Sequence, residues 1–176
     1  MADPLPATVP SPVRPGAAQA WYAPTVRDQY TIGPDVVATV SDGDDGFEYE
    51  TRGPPLSQRT RAAQNGVESY LDPVDIERPR TREGTIDRIE TGLSPTYRRA
   101  VDRLTETTPA QRRRLGYHLT ARVQGLGALT PLALDEKIRI ADASVDRVVV
   151  HTEEFAPART DVPADVPHLD RFLSER

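Results

Sequence analysis

The stretch from Arg114 to Thr160 limits the possible folds more than any other part of this sequence. Apolar side chains recur at helical spacing at its start, and the apolar turn from Gly125 to Leu132 follows them. Two β-rich runs then occur at residues 138–143 and 147–152. Because a helix leads through a glycine turn into short strands, the sequence predicts an α+β domain with a small C-terminal β-sheet.

An N-terminal β-hairpin is predicted before the helices. Residues 35–41 and 47–51 alternate apolar and polar side chains, and the Asp- and Gly-rich segment 42–46 separates them. The carboxylates in this segment are also potential calcium ligands. An EF-hand loop that begins at Asp42 would need a glutamate at its twelfth position, where the chain has Gly53, so a turn is the better interpretation.

Start signals between the hairpin and the C-terminal sheet predict three to four helices. Ser57 precedes a helical pattern at residues 58–71, and Thr81 precedes a weaker one. Ser94-Pro95 and Thr108-Pro109 each place a capping hydroxyl before a proline at the first helical position. These four signals divide the middle of the chain into short helices rather than one long one.

The first 20 residues hold five prolines among small residues and are expected to form a disordered, extended tail. Residues 12–15 fit a PxxP ligand pattern, but that pattern is frequent in such composition and a plain linker is favoured. Trp21 and Tyr22 interrupt the tail. We expect this pair to anchor the tail on the folded body, because an exposed tryptophan is costly.

The folded domain is expected to occupy residues 21–176. Residues 161–167 have the Pro- and Asp-rich composition of a loop. Leu169 then begins an apolar pattern that predicts a helix, and five residues of helix are only marginally stable in isolation. We expect the domain to be cut off at this end rather than concluded.

Charge and composition exclude several classes of function. The chain has no cysteine, which removes disulfides, thiolate chemistry and cysteine-ligated zinc. Its net charge of -5 argues against a general nucleic-acid binder. The N-terminus lacks the pattern of a secretory signal, and no apolar run is long enough to span a bilayer. A cytoplasmic protein is expected, with peripheral contact at the inner face of the cell membrane.

No residue pattern in the chain indicates an active site. The three histidines, His118, His151 and His168, lack the spacing of a metal-binding helix. His151 and Glu153 match the first half of a zinc deaminase signature, whose second half requires cysteines. No catalytic residue, metal or cofactor is therefore expected in this chain.

Arginines account for all but one of the 22 basic residues, and several are concentrated on two of the predicted helices. These are Arg98, Arg99, Arg103, Arg112, Arg113 and Arg114. One interpretation is a solvated face that pairs with Asp102 and Glu106. The other is a docking surface for an acidic partner, which is a neighbouring subunit or a nucleotide-binding domain.

The C-terminal half resembles the N-terminal domain of secretion ATPases, the motors of type II secretion, type IV pili and archaeal surface filaments. The residues that match are Gly125, Gly127, Leu129, Pro131, Leu132, Asp135, Ile138, Asp142, Val148 and Val150. The match covers residues 95–176, and the hairpin looks like the added N-terminal region of archaeal pilus ATPases. Ala141 departs from the pattern, because this family usually has an acidic residue there.

The resemblance implies an assembly and coupling domain that contacts ATPase subunits and a membrane platform protein. It implies homo-oligomers only in the full-length context. ATP and Mg²⁺ belong to the family's catalytic domain, because no GxxxxGK[ST] loop precedes Lys137, the single lysine. The candidate interface residues are Arg112, Arg113, Gly125, Gly127, Pro131 and Leu132. The alternatives are a stand-alone regulatory or adaptor protein and an enzyme of unrecognised type.

Overall fold

A computed structural model of the chain describes residues 17–18, 20–33, 35–70 and 78–173. Nearly all of the expected Pro-rich tail, including its PxxP pattern, lies outside these residues. Within the described part of the chain, no helix combines the length and the apolar character that crossing a membrane requires.

The strands form one six-stranded mixed sheet in the order β1-β2-β3-β6-β5-β4. The strands are β1 (Val26–Thr31), β2 (Val37–Gly43), β3 (Gly46–Arg52), β4 (Ile138–Ala143), β5 (Arg147–Thr152) and β6 (Ala158–Pro163). Neighbours are antiparallel except β3 and β6, which are parallel. The predicted hairpin is β2–β3, and the predicted C-terminal strands are β4 and β5. The α+β class is confirmed, and the hairpin and the C-terminal strands share one sheet.

Five of the six α-helices of the described residues lie between the two halves of the sheet in sequence, and the last follows β6. They are α1 (Gln58–Tyr70), α2 (Arg82–Thr91), α3 (Pro95–Leu104), α4 (Pro109–Leu119), α5 (Thr130–Leu134) and α6 (Leu169–Leu173). A π-helical turn, Thr120–Gln124, continues α4, and a 3₁₀ turn, Gly127–Leu129, leads into α5. The expected helical stripe of α4 is therefore interrupted where the glycine turn begins.

Hydroxyl caps begin three of the four predicted helices. The Ser57 hydroxyl accepts a hydrogen bond from the Thr60 amide at 3.1 Å, and Thr81 accepts one from Gly84 at 3.0 Å. Thr108 and Gln111 form a reciprocal capping box. Ser94 is the N-cap residue and Pro95 begins α3, as predicted, but the Ser94 side chain makes no capping hydrogen bond.

Three clusters of buried apolar residues pack the sheet and the helices together, and the smallest consists of Ile89, Ala121 and Leu134. The largest covers the sheet and includes Val36, Ala38, Val40, Tyr49, Leu129, Leu132, Val148, Val150 and Phe172. The second cluster joins α1, α3 and α4 through Val67, Val101, Leu115 and Leu119. Because Leu129 and Leu132 belong to the largest cluster, the glycine turn carries the chain from the helical cluster back to the sheet.

Two expectations about the N-terminal part and one about the C-terminal loop differ from the structure. Trp21 and Tyr22 are 74% and 52% exposed, so they do not anchor the tail on the core. Their rings contact each other instead, edge to face at 5.6 Å. Strand β1 was not predicted, and β6 occupies the first half of the expected loop at 161–167.

Candidate functional site

The six candidate interface residues fall into two structural groups. Leu132 is only 1% exposed and packs in the sheet cluster, so its side chain is not available to a partner in this fold. Gly125 is also buried, and a Cβ there would lie 2.8 Å from the Ala121 carbonyl oxygen. This close approach explains the glycine, and both residues therefore have structural roles.

Gly127 and Pro131 line a groove of about 560 Å³ over the glycine turn. Gly127 has a φ of +62°, a conformation that residues with a Cβ adopt at a cost. Arg78 crosses the turn and donates to the carbonyl oxygens of Arg122 and Gly125 at 2.8 and 2.7 Å. The guanidinium of Arg78 satisfies carbonyls that the end of the π turn would otherwise leave without donors.

His118 lines the same groove and is held in its neutral form. Its Nε2 lies 2.8 Å from the Pro54 carbonyl oxygen, which can only accept, so Nε2 carries the proton. Burial lowers the pKa of His118, and the nearby Arg61 adds to this effect. His168 lines the groove as well, whereas His151 lies on β5 beside Asp142 at 3.4 Å. The structure therefore brings two of the three histidines to one groove.

Arg112 and Arg113 lie at a second cavity, of about 460 Å³, between α4, α3 and the C-terminal end of α2. We call it the arginine-rimmed cavity. It is lined by Asp35, Ile89, Glu90, Gly92, Leu93, Arg98, Pro109, Arg112, Arg113, Gly116, Tyr117 and Thr120. Helix α4 supplies the largest share of these residues. The cavity therefore joins the predicted arginines to residues that the sequence did not single out.

Spacing on α4 explains how the cavity forms. Arg113, Gly116, Tyr117 and Thr120 stand at positions i, i+3, i+4 and i+7, which places them on one face of the helix. Leu115 and the following leucine at 119 bury another face against α1 and α3. Gly116 leaves the space open, because a Cβ added there would meet nothing within 4 Å.

Among the residues that the structure describes, one of the six clustered arginines has an acidic partner. Arg112 pairs with Asp102 at 3.1 Å. Asp102 is one of the two acidic residues that were expected to pair with the arginines on a solvated face. Glu106 pairs instead with Arg59 on α1 at 3.5 Å. Arg98 donates to the Leu93 carbonyl oxygen at 3.1 Å. Within the described ranges, Arg112 is therefore the one arginine of this rim that forms an ion pair.

Three buried donor groups of the cavity-lining residues have no hydrogen-bond partner among the described residues. They are Arg113 Nε, the Tyr117 hydroxyl and the Thr120 hydroxyl. Burial raises the pKa of Tyr117 above its usual range, so the phenol keeps its proton. All three atoms are buried from solvent, so they lie behind the lining of the cavity rather than on its open surface.

Asp135, one of the residues that match secretion ATPases, has a clear structural role. Its Oδ2 accepts hydrogen bonds from the hydroxyls of Tyr30 at 2.7 Å and Tyr49 at 2.5 Å, and its Oδ1 accepts one from the Lys137 amide at 2.8 Å. Burial, with the nearby carboxylate, raises the pKa of both tyrosines. Asp135 therefore fixes the end of α5 to β1 and β3.

Sequence reasoning identified the arginines of this cavity and missed its interior. Gly116, Tyr117 and Thr120 escaped notice because a glycine, an aromatic and a threonine carry no motif. The available signal was their shared face on α4, opposite the leucines. No protein-family model matches the chain, and no curated protein matches it significantly. Function is therefore inferred from the site geometry and from the resemblance in the sequence.

Proposed function

We propose that this chain is an assembly and coupling domain of a type II secretion or type IV pilus ATPase, and that ATP is hydrolysed outside it. The arginine-rimmed cavity is the observation that carries this proposal. It combines an apolar interior with three arginines on its lining, in a chain whose net charge is -5. Guanidinium groups beside an apolar interior provide binding positions for the carboxylates of a partner.

The proposed occupant is an acidic segment of a neighbouring motor subunit. Ile89, Leu93 and Pro109 offer apolar contacts inside the cavity, and Arg98 and Arg113 offer guanidinium groups that bind carboxylates well. Aromatic and arginine side chains around an apolar centre are typical of the energetically dominant part of a protein interface. The resemblance to secretion ATPases supplies the identity of the partner.

The first test is the mass of the native polypeptide and of its partner. An antibody against this segment would detect it in source cells, and mass spectrometry would identify proteins cross-linked to it. A polypeptide that contains a GxxxxGK[ST] loop, either in the same chain or cross-linked to it, supports the motor proposal. A band near 19.4 kDa with no such partner would instead favour a stand-alone adaptor.

The second test reverses charge on the cavity lining. Arg112→Glu combined with Arg113→Glu is expected to abolish the cross-link to the ATPase. Arg99→Glu combined with Arg103→Glu is the matched control, because both residues are exposed on α3 and do not line the cavity. Equal loss in both pairs would indicate a general charge effect, and no loss in either would refute the docking site.

A further inference from the structure

Strand β4 lies at one edge of the sheet, and within the described part of the chain its one neighbouring strand is β5. The hairpin between them closes with a hydrogen bond from the Ser144 amide to the Arg147 carbonyl oxygen at 2.9 Å. In an antiparallel pair, residues that exchange hydrogen bonds with the neighbouring strand alternate with residues whose backbone groups point away from it. Counting back from Ser144, residues 142 and 140 bond to β5, so the amides and carbonyls of Ala141 and Ala143 point to the open edge.

The side chains along this open edge give it little protection. Ile140 is 52% exposed, and Ala141 and Ala143 are too small to cover the backbone groups beside them. Val145, in the turn that follows β4, is fully exposed. Natural edge strands are usually protected from pairing by charged side chains, prolines or bulges. The bulge of β4 lies at its beginning, so residues 140–143 form a short regular edge that another strand can extend.

The opposite edge of the sheet, strand β1, carries the protection that β4 lacks. The Lys137 ammonium pairs with Asp28 of β1 at 2.7 Å and lies 3.7 Å from the centre of the Tyr30 ring. Arg27, also on β1, donates to the Asp42 carboxylate at 2.8 Å. Lysine and other charged side chains along an edge strand disfavour pairing with a further strand. A strand from another molecule is therefore expected at β4 rather than at β1.

The sequence of β4 is complementary to itself when two copies of the strand run antiparallel. If Ala141 of one copy faces Ala141 of the other, these two residues exchange both of their backbone hydrogen bonds. This register sets Ile140 opposite Asp142 of the second copy and brings Arg139 beside the same carboxylate. A register shifted by two residues would set the two Asp142 side chains opposite each other, and like charges directly opposite are destabilising. Charge and hydrogen bonding therefore select one alignment.

Both charged groups of this alignment are accessible in the fold. Arg139 pairs with Glu153, and Asp142 lies 3.4 Å from His151, but the side chains of Arg139 and Asp142 are 61% and 65% exposed. A guanidinium has five donors and can bind two carboxylates at once. Arg139 can therefore bind Asp142 of a second copy while it keeps its own pair with Glu153.

We propose that β4 is a self-association site, at which two copies of this chain pair their β4 strands antiparallel across a two-fold axis through Ala141. The two sheets then form one continuous sheet, and the protected β1 strands remain at its outer edges. Closed two-fold dimers are the commonest assemblies of soluble proteins. The inference goes beyond the coupling function and does not depend on it, because the β4 edge is separate from the arginine-rimmed cavity.

The first test is sedimentation of the full chain over a range of concentrations, with hydrogen exchange followed by NMR. The paired segment is short, so we expect a reversible dimer with a dissociation constant on the order of 10–100 µM. At about ten times that concentration, the Ala141 amide should exchange roughly fivefold more slowly than in dilute protein, because few monomers remain. The Asp142 amide already bonds to β5 and should change little. A chain that stays monomeric, or an unchanged Ala141 amide in a dimer, would overturn the inference.

Matched variants identify which edge of the sheet pairs. Ile140→Glu is expected to weaken dimerisation about tenfold or more, because it sets a second carboxylate opposite Asp142 of the other copy. Thr31→Glu is its control, since Thr31 is an exposed residue at the end of β1, the other edge strand, and it should leave the dimer unchanged. Urea unfolding of each variant checks that it is folded. A dimer that survives Ile140→Glu and is lost in Thr31→Glu would place the interface at β1 and refute the assignment.

A mixture of two charge variants tests the register itself. Asp142→Arg alone sets two arginines together across the axis, and Arg139→Asp alone sets two aspartates together, so each variant should dimerise about tenfold more weakly. Mixed in equal amounts, the two variants restore both opposite-charge pairs and should form a heterodimer about tenfold tighter than either homodimer. No gain on mixing would refute the alignment through Ala141. Species larger than a dimer would mean that β1 also pairs, which would refute the two-fold arrangement.

Discussion

Replacing Asp135 by alanine should cost this protein a large share of its stability. The carboxylate is 1% exposed and accepts three hydrogen bonds, from Tyr30, Tyr49 and the Lys137 amide. Its loss leaves the fully buried Tyr49 hydroxyl without an acceptor, which costs about 1–3 kcal/mol. The Lys137 amide and the half-buried Tyr30 add roughly 1 kcal/mol each. We expect a total of about 3–5 kcal/mol, which is a large part of the roughly 5–15 kcal/mol typical of a domain.

The double variant is the decisive measurement, by urea unfolding at neutral pH. Tyr49→Phe in the native background removes one hydrogen bond and should destabilise the fold. In the Asp135→Ala background the same change removes an unsatisfied buried hydroxyl, so it should restore about 1–2 kcal/mol. Asp142→Ala is the control, because Asp142 is 65% exposed, and it should change the free energy of unfolding by less than about 0.5 kcal/mol.

Two results would refute this reasoning. The first is a cost below about 1 kcal/mol for Asp135→Ala, which would mean that water replaces the carboxylate at little expense. The second is additivity of Asp135→Ala and Tyr49→Phe, because two residues that share a hydrogen bond should couple. Either result would show that the three hydrogen bonds of Asp135 do not hold the end of α5 against the sheet.

The remaining predictions concern backbone conformation and pH. Gly66→Ala should raise the free energy of unfolding by about 0.5–1 kcal/mol, because Gly66 lies inside a helix with open space around it. Gly127→Ala should lower the free energy of unfolding by about 1–2 kcal/mol, because Gly127 has a positive φ. Both are measured by urea unfolding. Burial lowers the pKa of His118 in the folded protein, so near pH 6.5 the unfolded chain gains a proton that the folded protein does not. Stability should therefore fall as the pH falls below 6.5, and His118→Gln should flatten this dependence. The pKa values of Tyr30 and Tyr49, which bind Asp135, are raised in the folded protein, so these phenols lose their protons at a lower pH in the unfolded chain. Stability should therefore fall as the pH rises above 10, and the tyrosinate absorbance of these two residues should appear only as the protein unfolds.

Elements with local signals were predictable from the sequence. The hairpin β2–β3 follows from alternation around an Asp- and Gly-rich turn, and the capping threonines at 81 and 108 begin α2 and α4 as expected. Strand β4 and strand β5 occupy the two β-rich runs that were predicted. In each of these elements, a few neighbouring residues determine the structure, so a short stretch of sequence is sufficient.

Strand β6 escaped prediction because its buried residues are not all apolar. Ala158, Thr160 and Val162 face inward, and charged or imino residues alternate with them. The buried Thr160 is acceptable in the core because its hydroxyl donates to the Val148 carbonyl oxygen at 2.8 Å. That bond joins residues that are distant in sequence. Local hydrophobicity therefore could not reveal the strand or its neighbours.

The candidate site was predictable only in part for a similar reason. Clustered arginines are visible in the sequence, and three of them, Arg98, Arg112 and Arg113, line a cavity. The cavity itself depends on where α2 ends at Gly92 and on how α3 packs beside α4, which are tertiary facts. Leu132 shows the converse error, since a residue that matched a family pattern proved to be core.

The parallel pairing of β3 with β6 has a consequence for how this protein is made. Phe47 and Tyr49 on β3 pair with Ala158 and Thr160 on β6, about 110 residues later in the chain. At ordinary translation rates, roughly 6 to 22 s separate the synthesis of the two strands. During that interval the hairpin leaves the ribosome with one edge uncovered, and such an edge is prone to pair with other chains. Slowed synthesis between the two strands should therefore increase aggregation of the nascent protein.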